Sequence, residues 1–309
     1  MTADRFATTQ LARQRINTLI FLGPACLLLL LFFIAPVLID IGIAFTDMGR
    51  NLRVTEFTTE NFERMLTGGD RRLSSVLVTT FFFVLGTLAI FNVTFALLLA
   101  LTTTALPERS GAFFRAVWLL PRMSPSVVYA LLWGWAISPT RYGLINQVWS
   151  GLLGFPPLDL MNQAPMLLIV VANGFIGASM GMIIFTSAIR AIPEHLFHAA
   201  RVDGAGGLAI IRHITLPAIR WPLSFITVYQ TLSLLVSFEY IWLITNGGPF
   251  FDTTVYALYV YKRAFDNGQY AYGAALALGL VAIGMVAALG MWRFMDMRSL
   301  LQRPRIEVQ

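Results

Sequence analysis

Six long apolar runs, almost free of charge, divide this chain, and no other feature constrains its fold as tightly. A helix needs about 20 apolar residues to cross a hydrocarbon layer of about 30 Å. Within lipid it also satisfies its own backbone hydrogen bonds, which an open sheet cannot do. The runs cover 19–39, 76–101, 123–139, 164–189, 221–245 and 269–292. Asp40, Arg141, Arg190 and Arg293 close four of them, and Glu239 falls near the end of the fifth. The expected fold is an all-α polytopic membrane protein, with about six transmembrane helices in one bundle filling 19–292. Composition agrees: 12% of residues are charged and the mean hydropathy is +0.71. A soluble domain carries about a quarter charged residues. A disordered chain, a coiled coil and a soluble enzyme of ordinary surface are excluded. The first run contains Pro24 and Pro36 and lacks a small-residue cleavage site, so it reads as a span and not as a signal peptide.

The basic residues set an orientation. Arg5, Arg13 and Arg15 precede the first run. Arg109, Arg115 and Arg122 lie between the second and third, and Arg190, Arg201, Arg212 and Arg220 between the fourth and fifth. Arg293, Arg298, Arg303 and Arg305 follow the last. These are fourteen of the 22 basic residues. By the positive-inside rule that side is cytoplasmic, and with it the N-terminal residues 1–18, the C-terminal residues 293–309 and the loop 190–220. The net charge of +6 is thereby explained without nucleic acid.

Catalytic chemistry has few residues to use. Lys262 is the single lysine and follows Tyr261, so no phosphate-cradling Gly-Lys-Ser/Thr loop exists. Cys26 is the single cysteine, which excludes an intrachain disulfide. His195 and His198 are three residues apart without a third metal ligand, so no metal site is expected. The middles of the six runs carry no charge, whereas a proton-coupled carrier keeps acids or histidines at mid-depth. Asn92, Asn173 and Gln230 are the polar mid-run residues, suited to interhelical hydrogen bonding or to lining a pathway. Asn173, Gln230, Phe238, Glu239, Tyr240 and Trp242 are the candidate pathway residues. A neutral saccharide, glycoside or polyol suits such a pathway, held by aromatic faces and uncharged hydrogen-bonding groups, and an anion of the glycerol-phosphate type stays open beside it.

The loop 190–220 is too patterned for a connector. Pro193-Glu194 fits a helix start, with an acid in the first turn. Leu196, Phe197, Ala199, Ala200 and Val202 alternate with Arg201 and Asp203 in an amphipathic pattern, and Gly204 suits a C-cap. Gly206-Gly207 permits a sharp turn before Ile210-Ile211. The Ala199-Ala200 pair leaves room for a partner's backbone to approach closely. The pattern describes a short rigid helix pair on the inner face, built either to dock a partner or to lie on the lipid surface.

At this loop the chain resembles the permease subunits of binding-protein-dependent ABC importers, in their carbohydrate branch. Their signature, Glu-Ala-Ala, three residues, Gly, nine residues, Ile-x-Leu-Pro, is matched here by His198-Ala199-Ala200, Gly204 and Ile214-Thr215-Leu216-Pro217, with Asp203 in its centre. Phe114-Arg115 through Leu120-Pro121, Trp133 to Asn146, Leu243 to Pro249 and Tyr259 to Ala275 extend the resemblance along the chain. His198 stands where the motif has Glu, and Glu194 lies one turn earlier on the same face. The resemblance implies a coupling helix gripped by an ATPase subunit and a bacterial inner-membrane location. It implies a second permease subunit of different sequence, two ATPase subunits that use ATP and Mg, and an extracytoplasmic solute-binding protein. No cofactor is expected on this chain. An ATP-independent secondary transporter is the alternative reading, distinguished by transport driven by a gradient alone.

Overall fold

A computed structural model describes residue 18 and residues 20–294. The two expected cytoplasmic tails, 1–18 and 293–309, fall almost wholly outside the described residues. Among the described residues, regular structure is helical apart from one isolated bridge between Thr46 and Phe57. The principal helices are α1 (Ile20–Ala44), α2 (Leu73–Ala105), α3 (Glu108–Met123), α4 (Ser126–Ala136) and α5 (Pro165–Arg190). They continue with α6 (Glu194–Val202), α7 (Arg220–Leu235), α8 (Glu239–Thr245), α9 (Tyr256–Tyr261) and α10 (Tyr270–Phe294). The all-α membrane fold expected from the apolar runs is the fold observed.

The six expected crossings are not all uninterrupted helices among the described residues. By length and composition α1, α2, α5 and α10 suffice to cross a membrane, and α7 with α8 makes a fifth if the bent pair counts as one. The expected third run, 123–139, is the 11-residue α4, about 16 Å long and too short alone. Pro125 separates α4 from α3: it cannot donate to the preceding turn, and Ser124 before it is extended, with ψ 141°. The expected fifth run, 221–245, breaks after Leu235 and turns by 51° into α8. Phe238 leaves helical geometry there, and Glu239 opens α8 with an acid in its first turn. Asp40, expected to close the first run, lies inside α1, which continues to Ala44.

The chain divides into two compact units, the first running to Gly69 and resuming over Tyr261–Leu278, the second holding Asp70–Val260 and the chain from Gly279 on. In the first unit, Ala44 packs with Ala274 and Ala275. The Asn61 amide donates to the carbonyls of Ala44 and Thr46, which ties down the end of α1. Arg64 lies over the Tyr272 ring, 4.2 Å from its centre.

In the second unit α5 is the axis, buried over most of its length. Lipid gives apolar helices no hydrophobic reason to associate, so close packing of small residues must hold them together. One face of α5 supplies that at Gly174, Gly177 and Gly181, against Phe91, Asn92 and Ala96 of α2. A Cβ on Gly177 would stand 2.1 Å from Asn92 Oδ1, and one on Gly181 would stand 2.7 Å from the Ala96 methyl. Asn92 is fully buried at this contact, and its amide has no hydrogen-bond partner among the described residues. Gln230 of α7 donates to the Gly177 carbonyl at 3.0 Å, and Asn173 donates to Ser237 Oγ at 3.0 Å. Gly177→Val is expected to force α2 from α5, lowering the melting temperature of the detergent-purified protein and its membrane yield. Overpacking of this kind costs about 1–3 kcal/mol or more. Gly134→Val, with open space around its Cβ position, is expected to leave both near wild type.

Candidate functional site

The loop after α5 forms the helix expected of it. α6 starts immediately after Pro193 and contains no buried residue. Asp203 caps it, and Gly204 follows in the left-handed region at φ +78°. Gly204 N–H donates to Arg201 O at 3.1 Å and Ala205 N–H to Ala200 O at 2.9 Å, the paired bonds of a Schellman stop. A Cβ at Gly204 would meet nothing within 4 Å, so the requirement for glycine is conformational and not steric. Glu194, His198, Ala199, Asp203, Gly204 and Pro217 are exposed, while Ala200, Ile214 and Leu216 are half-buried. His198 Nε2 stands 3.5 Å from Glu194 Oε1, one turn back, so the histidine at the motif's leading position shares its face with a carboxylate.

The exposed helix rises from a fixed base. Ile189, at the end of α5, and Ile219, at the start of α7, join one buried cluster with Phe185, Ala178, Ile226 and the α2 residues Ala96 and Ala100. Ile192 and Leu223 pack on its edge. Beside it, Glu108 in the first turn of α3 receives both guanidinium nitrogens of Arg190, at 3.0 and 2.6 Å. Arg115 joins Glu108 at 3.3 Å and also donates to Thr103 O at 3.1 Å, near the C-terminus of α2. Arg190 and Arg115 hold the Glu108 carboxyl below the ordinary glutamate range, the Arg190 hydrogen bond contributing most. The contact also brings the loop between α2 and α3 to the same end of this unit as the loop after α5.

The candidate pathway residues are only partly gathered. Asn173 and Gln230 are buried and committed to the interhelical bonds described above. Phe238 and Tyr240 are half-buried, and Glu239 and Trp242 are exposed around the break between α7 and α8. Ser126 Oγ donates to Glu239 Oε1, and Tyr240 packs edge-on against Tyr129 at 5.7 Å. The breaks after α3 and after α7 therefore face each other. Sequence reasoning missed Ser126, Tyr129 and above all Arg122. Arg122, expected in a cytoplasmic loop, lies one residue before the end of α3, and its Nη2 is 3.5 Å from Met180 Sδ in the middle of α5. The charge lies outside the middles of the six apolar runs, yet α3 lays it against α5. The available signal was Pro107-Glu108, the same helix start that identified α6.

No protein-family model matches the chain. Over 282 residues it is 30% identical to the Pyrococcus horikoshii protein named "Probable ABC transporter permease protein PH1215", covering 88% of this chain and 92% of that one. The chain belongs to the permease family of ABC transporters. This permease is also 30% identical to the sn-glycerol-3-phosphate transport system permease protein UgpA of Agrobacterium fabrum, across 77% of this chain and 80% of UgpA. It is 26% identical to the galactooligosaccharides transport system permease protein GanP of Bacillus subtilis, across 90% of this chain and 69% of GanP. Its fold matches a chain in the crystal structure of a bacterial alginate ABC transporter in complex with alginate pentasaccharide-bound periplasmic protein. The TM-score is 0.79 at 22% identity, over 95% of this chain and 98% of that one. As a permease the chain is the non-catalytic membrane subunit of its transporter, and the ATP-independent carrier is set aside.

The Glu108 clamp has a definite pH dependence. A carboxylate held below its ordinary range stabilises the fold fully above that range, and the contribution is lost as pH falls through the depressed value. The melting temperature of Glu108→Gln is therefore expected to lie below wild type at pH 7, with the gap closing as pH is lowered past about 4. A gap that stays constant with pH would remove the charge from the explanation.

Proposed function

We propose that this permease forms half of the translocation pathway of an ATP-driven, binding-protein-dependent importer in a bacterial inner membrane, with both termini cytoplasmic. Its cargo is a carbohydrate or a related polyol derivative. A second permease of different sequence completes the pathway, two ATPase subunits supply ATP and Mg chemistry, and an extracytoplasmic binding protein delivers the solute. The loop 190–220 is the handle on which one ATPase subunit pulls. Closure of the ATPases drives the handle inward, and the membrane helices rock between inward-open and outward-open arrangements.

The observation that carries this reading is the pairing of an exposed α6, free of buried residues, with a tightly packed base at Ile189 and Ile219. A helix with no fully buried residue has surface to offer a partner. A base that joins α2, α5 and α7 passes displacement into the bundle instead of absorbing it in slack. The carbohydrate cargo is supported by the relatives, among them permease proteins of galactooligosaccharide and sn-glycerol-3-phosphate transport systems. The cytoplasmic side is supported by the arginines of two loops that meet at Glu108.

The reading is tested in proteoliposomes containing the complete transporter. Ala199→Arg fills the close-approach position with a long charged side chain. Gly204→Val strains the left-handed residue by about 1–2 kcal/mol. Both are expected to lower ATP-driven uptake by about tenfold or more, about 1.4 kcal/mol in the coupled step, while the permease pair still assembles. Glu194→Ala is expected to weaken co-purification of the ATPase subunits more than Glu63→Ala, in the loop assigned to the outer side. Normal uptake in both loop variants would contradict the assignment.

A further inference from the structure

The position of Arg122 leads to a narrower statement about cargo, which rests on the importer reading above. α5 runs from Pro165 to Arg190, and the Met180 contact lies about 15 Å along it from Arg190 and about 22 Å from Pro165. The guanidinium thus lies within the hydrocarbon layer, about 30 Å thick, that α5 is long enough to cross. Arg122 is exposed on the surface of this chain, and among the described residues no carboxylate comes within ion-pair distance of it. A guanidinium facing lipid at that depth costs about 2.5–3.5 kcal/mol even on the most lenient scale. The exposed face at Arg122 is therefore not a lipid face.

The surroundings narrow what it meets. A cavity of about 730 Å³ lies along the same stretch of chain, with Pro121 and Ser124, though not Arg122 itself, among its lining residues. The walls include Trp118, Trp133, Tyr129 and Phe175, with Trp118 and Phe175 centred 4.5 Å apart. Aromatic faces are the surfaces on which pyranose rings stack, with their C–H groups against the ring. Outside the cavity wall, Tyr240 packs on the lining residue Tyr129 and lies within electrostatic range of both Arg122 and Glu239, so acceptor and donor groups stand behind the aromatic face. A guanidinium adds the one recognition that neutral groups lack, a two-point hydrogen-bonded contact with a planar anion.

We propose that Arg122 is a specificity-determining residue of the translocation pathway, and that it receives the carboxylate of an acidic saccharide while the neighbouring aromatic walls hold the sugar ring. This replaces the neutral cargo expected from uncharged helix middles.

The test uses the complete transporter in proteoliposomes, with trigalacturonate and galactotriose as charged and neutral probes of equal length. Arg122→Gln is expected to lower the kcat/KM for trigalacturonate uptake by about tenfold or more and that for galactotriose by less than about twofold. Arg122→Lys, which keeps the charge but not the two-point fork, is expected to recover part of the trigalacturonate rate and to stay below wild type. The wild-type to variant ratio for each probe cancels the preference of the binding protein. In a Cys26→Ser background, Arg122→Cys is expected to react with a water-soluble methanethiosulfonate, as a thiol in an aqueous pathway does. Uptake of galactotriose alone by the wild type, equal losses for both probes, or an unreactive Arg122→Cys thiol each overturns this proposal and leaves the importer reading standing. The last result would place Arg122 against the partner permease. Absence of ATP-dependent uptake of either saccharide overturns the carbohydrate reading and this proposal together.

Discussion

An external motor can move this bundle only if the segment it grips is held at both ends by the same packed joint. Ile189 and Ile219 form that joint: the chain leaves α5, makes the excursion through α6, and returns into α7 within one buried cluster. Ala96, Ala100 and Ala178 bring the helix backbones close there, which in lipid is the available source of cohesion. The glycine face of α5 continues the contact along α2 through Gly174, Gly177 and Gly181. The forked Glu108–Arg190 pair adds α3 to the same joint at the point where the handle begins. In the importer reading proposed above, the exposure of α6 and the burial of its base serve one purpose, a surface for the ATPase above and no slack below.

The sequence foretold this region well, because each signal there is local and chemical. Pro193-Glu194 starts α6, Gly204 stops it in the left-handed region, and the apolar residues between have helical spacing. The long apolar runs that became α1, α2, α5 and α10 were equally legible from length. Length failed where apolarity and helix continuity part company. Val236-Ser237-Phe238 contains no proline or glycine, so nothing local announces the 51° turn between α7 and α8. Its cause is tertiary: Asn173 bonds Ser237, and Ser126 bonds Glu239 across the gap.

The helix α3, before the expected third run, was missed for the opposite reason. Three arginines in α3 made it read as a loop, although Pro107-Glu108 marks its start as plainly as Pro193-Glu194 marks α6. Arg115 is absorbed by Glu108 and the carbonyl end of α2, and Arg122 by a position beside Met180. Counting charges along the chain treats each arginine as a vote for the aqueous side. The folded chain instead assigns them different tasks according to which acceptors lie within reach. Asn173 and Gln230 take the first of the two roles open to them, interhelical hydrogen bonding.

The account stands on the handle being cytoplasmic and gripped by the ATPase. Val202, 87% exposed at the end of α6, is the position from which to measure it. In a Cys26→Ser background carrying Val202→Cys, a membrane-impermeant maleimide is applied to right-side-out and inverted vesicles, with and without bound ATPase subunits. The account predicts labelling only in inverted vesicles stripped of the ATPases, and protection when they are restored. Labelling in right-side-out vesicles, or an inverted-vesicle rate that the ATPases leave unchanged, would contradict it.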